Sequence, residues 1–304
     1  MTIVEIAKQP FTARLTEPGS TASDLPAVVY SPESALRHPG RLLADMFRDL
    51  TNSRELAGRL FLRDMKAAHR QSFLGYIWIF LPPVASMFMF GFLRSQNILN
   101  VGRTDIPYPA FVLTGMLLWE AFAGSIAAPM DAVIASSSML TKLNFPREAI
   151  LLASLYQVFF NLGLKLLLLL PAYAYFGVPL HATMLAGPLG ILALVLLGFV
   201  LGLWLMPLGL LYQDVGRMLS MALGAWFLVT PVIYPPPTQW PGTLLNQLNP
   251  VSPLLITARQ LFTGAPLTHV FSAVAITCMS VMALFLGWLL YRLAMPHLVA
   301  RMGA

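Results

Sequence analysis

Residues 184–211 read MLAGPLGILALVLLGFVLGLWLMPLGLL, a run of 28 residues without one charged side chain. As a helix this run would be roughly 42 Å long at ~1.5 Å per residue, which exceeds the ~30 Å hydrocarbon core of a bilayer. Backbone groups find no water in that core, so a single segment can cross it alone only as a helix. The stretch therefore predicts a transmembrane helix.

Five further apolar stretches resemble it in composition. They cover residues 75–93, 108–129, 149–176, 218–234 and 268–291, and most reach the ~17–25 residues that a spanning helix needs. Of the 304 residues, 57% are hydrophobic and 11% are charged, too few polar groups to cover the surface of a soluble protein. We predict an all-α integral membrane protein with six transmembrane helices.

The basic residues predict how the chain is oriented. Ten Lys and Arg residues precede the first predicted span. Five more follow the second, fourth and sixth spans, at Lys142, Arg147, Arg217, Arg292 and Arg301. The opposite side holds only Arg94, Arg103 and Arg259. Because basic segments stay in the cytoplasm, both termini should be cytoplasmic, and the net charge of +6 indicates topology and not nucleic-acid binding.

The segment before the first span predicts an amphipathic helix at residues 53–72, after a cytoplasmic extension at residues 1–52. Its apolar face would carry Ala57, Phe61, Met65 and Ala68. Opposite it lies a basic stripe of Arg59, Arg63, Lys66 and Arg70. Such a helix lies in the membrane interface, where the stripe either binds anionic lipid or docks a cytoplasmic partner. Both interpretations stay open.

Four stretches of sequence carry a family resemblance. They are RDMK at 63–66 with RQSFLGYIW at 70–78, LTKLNFPRE at 140–148, YQDV at 212–215 and NPVSP at 249–253. In this order, and on six predicted spans, they resemble the permease subunits of ABC-2 type polysaccharide exporters from about residue 54 to residue 291. A G-x-x-x-x-G-K-[ST] loop, which would bind ATP, is missing from the sequence.

The resemblance implies a transporter subunit and not an enzyme. Two copies would form one continuous channel in the bacterial inner membrane, with two copies of a separate ATPase that binds ATP and Mg²⁺. The chain itself is expected to hold no cofactor and no metal. The expected substrate is a polysaccharide, with a lipid-linked form left open, and the remaining contacts are with membrane lipid.

The family also implies a division of the chain. The transmembrane domain would cover residues 73–294, with a cytoplasmic tail at 295–304. A coupling helix at 131–141 would enter a groove on the ATPase, although an ordinary loop is the alternative. The residues predicted to contact the ATPase are Arg59, Arg63, Lys66, Ile134, Met139, Leu140, Lys142 and Arg147.

Prolines mark the segment at residues 235–266, where two moderately apolar runs are each too short to span. Broken helices at membrane depth are tolerated when protein surrounds them, so we predict a re-entrant pair on the external side. A structured external loop is the alternative.

Aromatic side chains are candidates for the channel lining, because sugar rings stack on flat faces along which a polymer can slide. The candidates are Tyr76, Trp78, Phe88, Trp119, Phe122, Trp226, Phe227, Tyr234 and Trp240. Each could equally be an interfacial or packing residue. Glu120 and Lys165 are the last two candidates for the channel lining. Both lie inside predicted spans, where a charged side chain should face the bundle interior, water or a partner and not lipid. Whether the two pair is open, because Glu120 is predicted nearer the cytoplasmic end.

Three other functions compete with polysaccharide export. A membrane glycosyltransferase or acyltransferase would need clustered acids, bases or metal ligands, whereas the histidines are scattered along the chain. An ion-coupled transporter would show two repeated halves, which the sequence lacks. An ABC-2 exporter of drugs or small lipids is the main alternative.

Overall fold

The computed structural model describes residues 39–70, 75–99, 101–142, 145–212 and 214–302. Most of the predicted extension at 1–52 and parts of three family stretches, at 71–74, 143–144 and 213, lie outside the described residues. Two compact units divide the chain, Met1–Asp45 and Met46–Ala304. Of the first unit, only the start of the first helix is described.

The described residues form helices and no strands. In chain order the α-helices are α1 (Pro39–Asn52), α2 (Arg54–Arg70), α3 (Ile77–Ser95), α4 (Tyr108–Ala135), α5 (Ser137–Lys142), α6 (Glu148–Tyr175), α7 (Gly187–Leu211), α8 (Asp214–Val229), α9 (Gly242–Leu248), α10 (Val251–Thr263) and α11 (Val270–Met302). A 3-10 helix at Ala182–Ala186 precedes α7. The all-helical class is as predicted.

Five helices in the described residues are long and apolar enough to cross a membrane. They are α3, α4, α6, α7 with its preceding 3-10 turn, and α11. The predicted span at 218–234 differs, because α8 has 16 residues, or about 24 Å. It ends before Thr230 and Pro231, where the proline disfavours helical backbone in the residue preceding it. The sixth span therefore stays a prediction.

Helix α4 is the centre of the bundle and packs against α3, α6, α7 and α10. Its contact with α7 is close because α7 presents Gly198 and Gly202 to it. A Cβ atom added at Gly202 would overlap the carbonyl oxygen of Ile126, and one at Gly198 would overlap Ser125 Oγ. Small residues four positions apart let two helix backbones approach, which stabilises helix pairs where the hydrophobic effect is absent.

The two short helices α9 and α10 occupy the segment predicted to be re-entrant. They have 7 and 13 residues, so neither could span. Asn249 joins them: its Oδ1 accepts hydrogen bonds from Trp226 Nε1 at 2.9 Å and from the Val251 amide at 3.0 Å, and its Nδ2 donates to Thr230 Oγ1 at 2.8 Å. The side-chain amide of Asn249 therefore forms its hydrogen bonds within the protein. The depth of the two helices in a membrane stays a prediction.

Candidate functional site

Helix α2 packs its apolar face on α6. Ala57 and Leu60 are buried, and the ring of Phe61 lies 6.3 Å from Tyr156 and 5.7 Å from Phe160, centroid to centroid. The periodicity that predicts an amphipathic helix thus corresponds to a packed face. The hydrophobic contact fixes which side of α2 remains exposed.

Three side chains of the basic stripe, Arg59, Arg63 and Lys66, lie on that exposed side, and the side chain of Arg70 is outside the described part of the structure. Arg59 pairs with Glu55 at 2.6 Å, with 75% of the arginine side chain exposed, and Lys66 is also exposed. Arg63 pairs with Asp64 at 2.7 Å and its guanidinium contacts Met139 Sδ. This last contact brings α2 beside α5. Both side chains of the Arg59–Glu55 pair are exposed and therefore accessible to a partner. Because an exposed ion pair adds little stability, a partner could separate the two groups at small cost.

The predicted coupling stretch at 131–141 forms two helical pieces. Its first half completes α4, and the chain breaks at buried Ser136 before α5 begins. Ile134 is 50% exposed, whereas Leu140 is buried. Lys142 is exposed. The serine run at 136–138 favours this break, since serine hydroxyls compete for backbone hydrogen bonds.

Arg147, the last of the predicted ATPase contacts, is half-buried. Its carbonyl accepts a hydrogen bond from Tyr291 Oη at 2.8 Å. Of the eight predicted contacts, the structure joins Arg63 to Met139 directly. Their role in binding an ATPase stays a prediction.

Four of the predicted channel aromatics form one ring cluster between α4 and α8. Trp119 lies 5.4 Å from Phe122 and 5.6 Å from Phe227, and Phe122 lies 5.4 Å from Trp226. Trp119 is 6% exposed and Phe122 is fully buried. Within one subunit these two rings therefore pack the helices together.

The other predicted aromatics are apart from this cluster. On α3, Trp78 and Phe88 are 55% and 68% exposed, and Trp240 is 79% exposed ahead of α9. Tyr76 precedes α3, and its ring lies 6.0 Å from that of Phe160. Tyr234 donates its hydroxyl to the Leu228 carbonyl at 2.9 Å. The exposed rings of Trp78, Phe88 and Trp240 are thus accessible to a large ligand.

Glu120 and Lys165 form an ion pair, with Glu120 Oε2 and Lys165 Nζ 2.6 Å apart and both side chains mostly buried. The difference in depth is smaller than predicted, because α4 continues past residue 129 to Ala135. Measured from the end of α4 at Ala135 and the start of α6 at Glu148, the two residues then differ by only about 3 Å.

The pair lies at one end of a cavity of about 420 Å³ between α2, α4 and α6, which we call the inner cavity. Its α6 wall carries four polar side chains among apolar ones, Ser154, Gln157, Asn161 and Lys165, and its α4 wall includes Gly124, Ala128, Asp131 and Ala132. Gln157 donates to Asn161 Oδ1 at 3.2 Å. Sequence reasoning missed Gln157 and Asn161, although polar residues at i, i+4 and i+8 in an apolar span signal one polar face.

A second residue that sequence reasoning used only for topology is Arg259 on α10. It is buried, and donates to the carbonyls of Pro231 at 3.0 Å and Val232 at 2.5 Å. Its guanidinium lies 3.9 Å from the centre of the Phe111 ring. Burial lowers the pKa of Arg259 to about 9, so the side chain stays charged at neutral pH.

In the described part of the chain, no three His, Cys, Asp or Glu side chains lie close enough to share a metal ion. The expectation that the chain holds no metal and no cofactor stays a prediction.

Comparison with known proteins finds similar chains, although no protein-family model matches. The O-antigen export system permease protein RfbA of Myxococcus xanthus is 30% identical over 247 residues, which are 79% of this chain and 92% of that protein. A protein of the same name from Klebsiella pneumoniae is 26% identical over 218 residues, 68% of this chain and 80% of its own. The polysialic acid transport protein KpsM of Escherichia coli is 23% identical over 245 residues, 77% and 91% of the two chains. The chain belongs to the family of ABC-2 type polysaccharide exporter permeases.

Proposed function

We propose that this chain is the permease subunit of an ATP-driven exporter that moves polysaccharide across the bacterial inner membrane. The observation that carries the proposal is the similarity, over most of the chain, to relatives named for O-antigen export and polysialic acid transport. The bundle of long apolar helices supports it, since five helices of the described residues meet the length of a membrane span.

The proposed topology has six spans with both termini in the cytoplasm. Helix α8 would be the fifth span, completed by the turn at 230–234, and α9 and α10 would re-enter the membrane from the external side. The distribution of Lys and Arg supports this orientation. Helix α2 would lie beside α6 at the cytoplasmic interface, which its exposed basic side chains support.

ATP hydrolysis is assigned to a separate subunit present in two copies. The side-by-side arrangement of α2 and α5, through Arg63 and Met139, supports a shared docking surface for it. Exposed Ile134 and Lys142 would extend that surface. ATP and Mg²⁺ would then bind to the partner, because this sequence has no phosphate-binding loop.

The polysaccharide path is proposed between two copies of the chain. The exposed rings of Trp78 and Phe88 support a lining role for α3, since they are available to stack on sugars. Buried Trp119 and Phe122 would instead hold α4 against α8 behind that lining. Tyr76, Trp226, Phe227, Tyr234 and Trp240 remain proposed lining residues.

The decisive experiment is reconstitution of the purified permease in vesicles, with and without its cognate ATPase. We expect polysaccharide transport only when the ATPase is present and ATP is supplied, and not with an ATPase variant that cannot hydrolyse ATP. Transport driven by an ion gradient without the ATPase would contradict the proposal. ATP-driven transport of small amphiphiles without polysaccharide transport would favour a drug or small-lipid exporter.

A further inference from the structure

A second cavity, which we call the external cavity, lies beside α10 on the side that the charge distribution predicts to be external. Its volume is about 350 Å³. The walls come from residues 103–105, α4, the turn at 235–236, α10 and residues 268–269. None of its residues belongs to the inner cavity or to the aromatic set predicted to line the channel.

The α10 wall of the external cavity carries two buried polar atoms without a hydrogen-bond partner, Arg259 Nε and Thr263 Oγ1. Both residues are more than nine-tenths buried, with 5% and 7% of their surface exposed. The other guanidinium nitrogens already donate to backbone carbonyls. Residues 259 and 263 are one helical turn apart and share a face. Arg259 also forms no ion pair among the described residues, so its buried positive charge lacks a compensating carboxylate, and this uncompensated charge at the cavity wall indicates an anionic ligand.

The remaining polar groups of the cavity come from α10 and from the neighbouring segments, which also contribute Thr104 and His269. Arg103 is exposed and has no ion pair among the described residues, whereas Asp105 is the one carboxylate in the described lining. Gln260 holds Thr268, donating from Nε2 to Thr268 Oγ1 at 3.0 Å and accepting from the Thr268 amide at 3.1 Å. Two guanidinium groups against one carboxylate leave the cavity positively charged.

We propose that the external cavity binds an acidic sugar unit of the exported glycan, with its carboxylate or phosphate group held by Arg259 and Arg103. That the ligand belongs to a glycan rests on the proposed function. Guanidinium groups present planar donors that match the oxygens of both anions. Thr263 and Gln260 supply further polar contacts for sugar hydroxyls. Only four of the twelve described lining residues are apolar, Phe111, Ile256 and two prolines, so the acyl chains of an anionic lipid would find few apolar contacts.

The test measures ligand binding to the purified full chain in phosphatidylcholine nanodiscs. Saturation-transfer NMR would compare glucuronate, glucose 1-phosphate, inorganic phosphate and glucose. We expect the two acidic sugars to bind at least about tenfold more tightly than glucose, because charge-assisted hydrogen bonds are the stronger ones. Both should also bind more tightly than inorganic phosphate, which lacks the ring.

Variants then locate the site. Arg103→Gln should weaken glucuronate binding about tenfold and Thr263→Val about threefold, the effects of losing a charged and a neutral hydrogen bond. Arg217→Gln, an exposed cation paired with Asp214, is the matched control and should leave binding unchanged. Arg259 is kept, because its side chain also holds the 231–232 turn and its loss could unfold the segment.

Equal binding of glucuronate and glucose, or glucuronate binding that neither variant weakens, would overturn the proposal. The proposal would also be overturned if phosphatidylglycerol in the nanodiscs, and not the acidic sugars, were the ligand bound at Arg103 and Thr263. The assay needs neither ATP nor the ATPase. A permease that binds glucuronate at these residues but transports no polysaccharide would support the site while contradicting the proposed function.

Discussion

At the scale of single residues, the ion pair of Glu120 and Lys165 joins two spans in an apolar environment. Removing one partner of a buried pair leaves the other charge without compensation, which costs about 3 kcal/mol. Replacing both by uncharged residues of similar size removes that penalty. The pair therefore predicts strong coupling between the two positions.

We predict that Lys165→Met and Glu120→Gln each lower the free energy of unfolding by about 3 kcal/mol, and that the double variant recovers most of the loss. Denaturant unfolding in detergent would measure the double-mutant cycle. Gln157→Leu, which removes a neutral neighbour in the inner cavity, is the control and should change stability by about 1 kcal/mol. Additive losses in the double variant would show that the two charges do not interact in the folded chain.

At the scale of helices, sequence composition predicts where the elements lie better than where they end. The spans at 108–129 and 149–176 became α4 and α6, because long apolar runs have no other stable state in a membrane. The predicted span covered residues 108–129, yet the helix continues through Pro129 to Ala135. Neighbouring helices compensate a proline inside a bundle, and these neighbours are unknown from sequence alone.

The rotation of each helix also escapes sequence reasoning. Trp119 and Trp78 are equally plausible channel residues by type, but packing buries the first and exposes the second. The same limit hid the external cavity, whose polar groups come from three separated segments. By contrast, the apolar face of α2 was predictable, since Ala57 and Phe61 recur at helical spacing.

Helix α5 and the end of α4 give a prediction at this scale. Ile134 is 50% exposed, so Ile134→Asp should preserve membrane insertion while abolishing stimulation of ATP hydrolysis, because the charge would enter an apolar contact. The assay is ATPase activity of the reconstituted complex. Leu244→Asp, at a 46% exposed leucine of α9 on the predicted external side, is the control and should retain stimulation. Full stimulation by the Ile134 variant would remove this residue from the ATPase contact.

At the scale of the whole molecule, one chain leaves much of its apolar surface uncovered. In the most apolar 18-residue stretch of each helix, 11% of the residues are buried in α3 and 17% in α11, against 72% in α4. Lipid or a second copy has to cover the exposed faces. Because α3 carries exposed aromatic rings while α11 carries mainly aliphatic and Met side chains, the proposed dimer would place α3 towards the glycan and α11 towards lipid.

This arrangement predicts which exposed aromatics matter for export. Trp78→Ala and Phe88→Ala should reduce polysaccharide transport in reconstituted vesicles while leaving the folded protein and basal ATP hydrolysis unchanged, because they remove a flat surface without changing charge. Trp78→Phe should restore transport better than Trp78→Leu, since leucine matches the hydrophobicity but offers no plane. Phe271, which is 88% exposed on α11, supplies the control, and Phe271→Leu should transport normally. Equal rescue of position 78 by Phe and Leu would mean that packing and not sugar stacking is measured there.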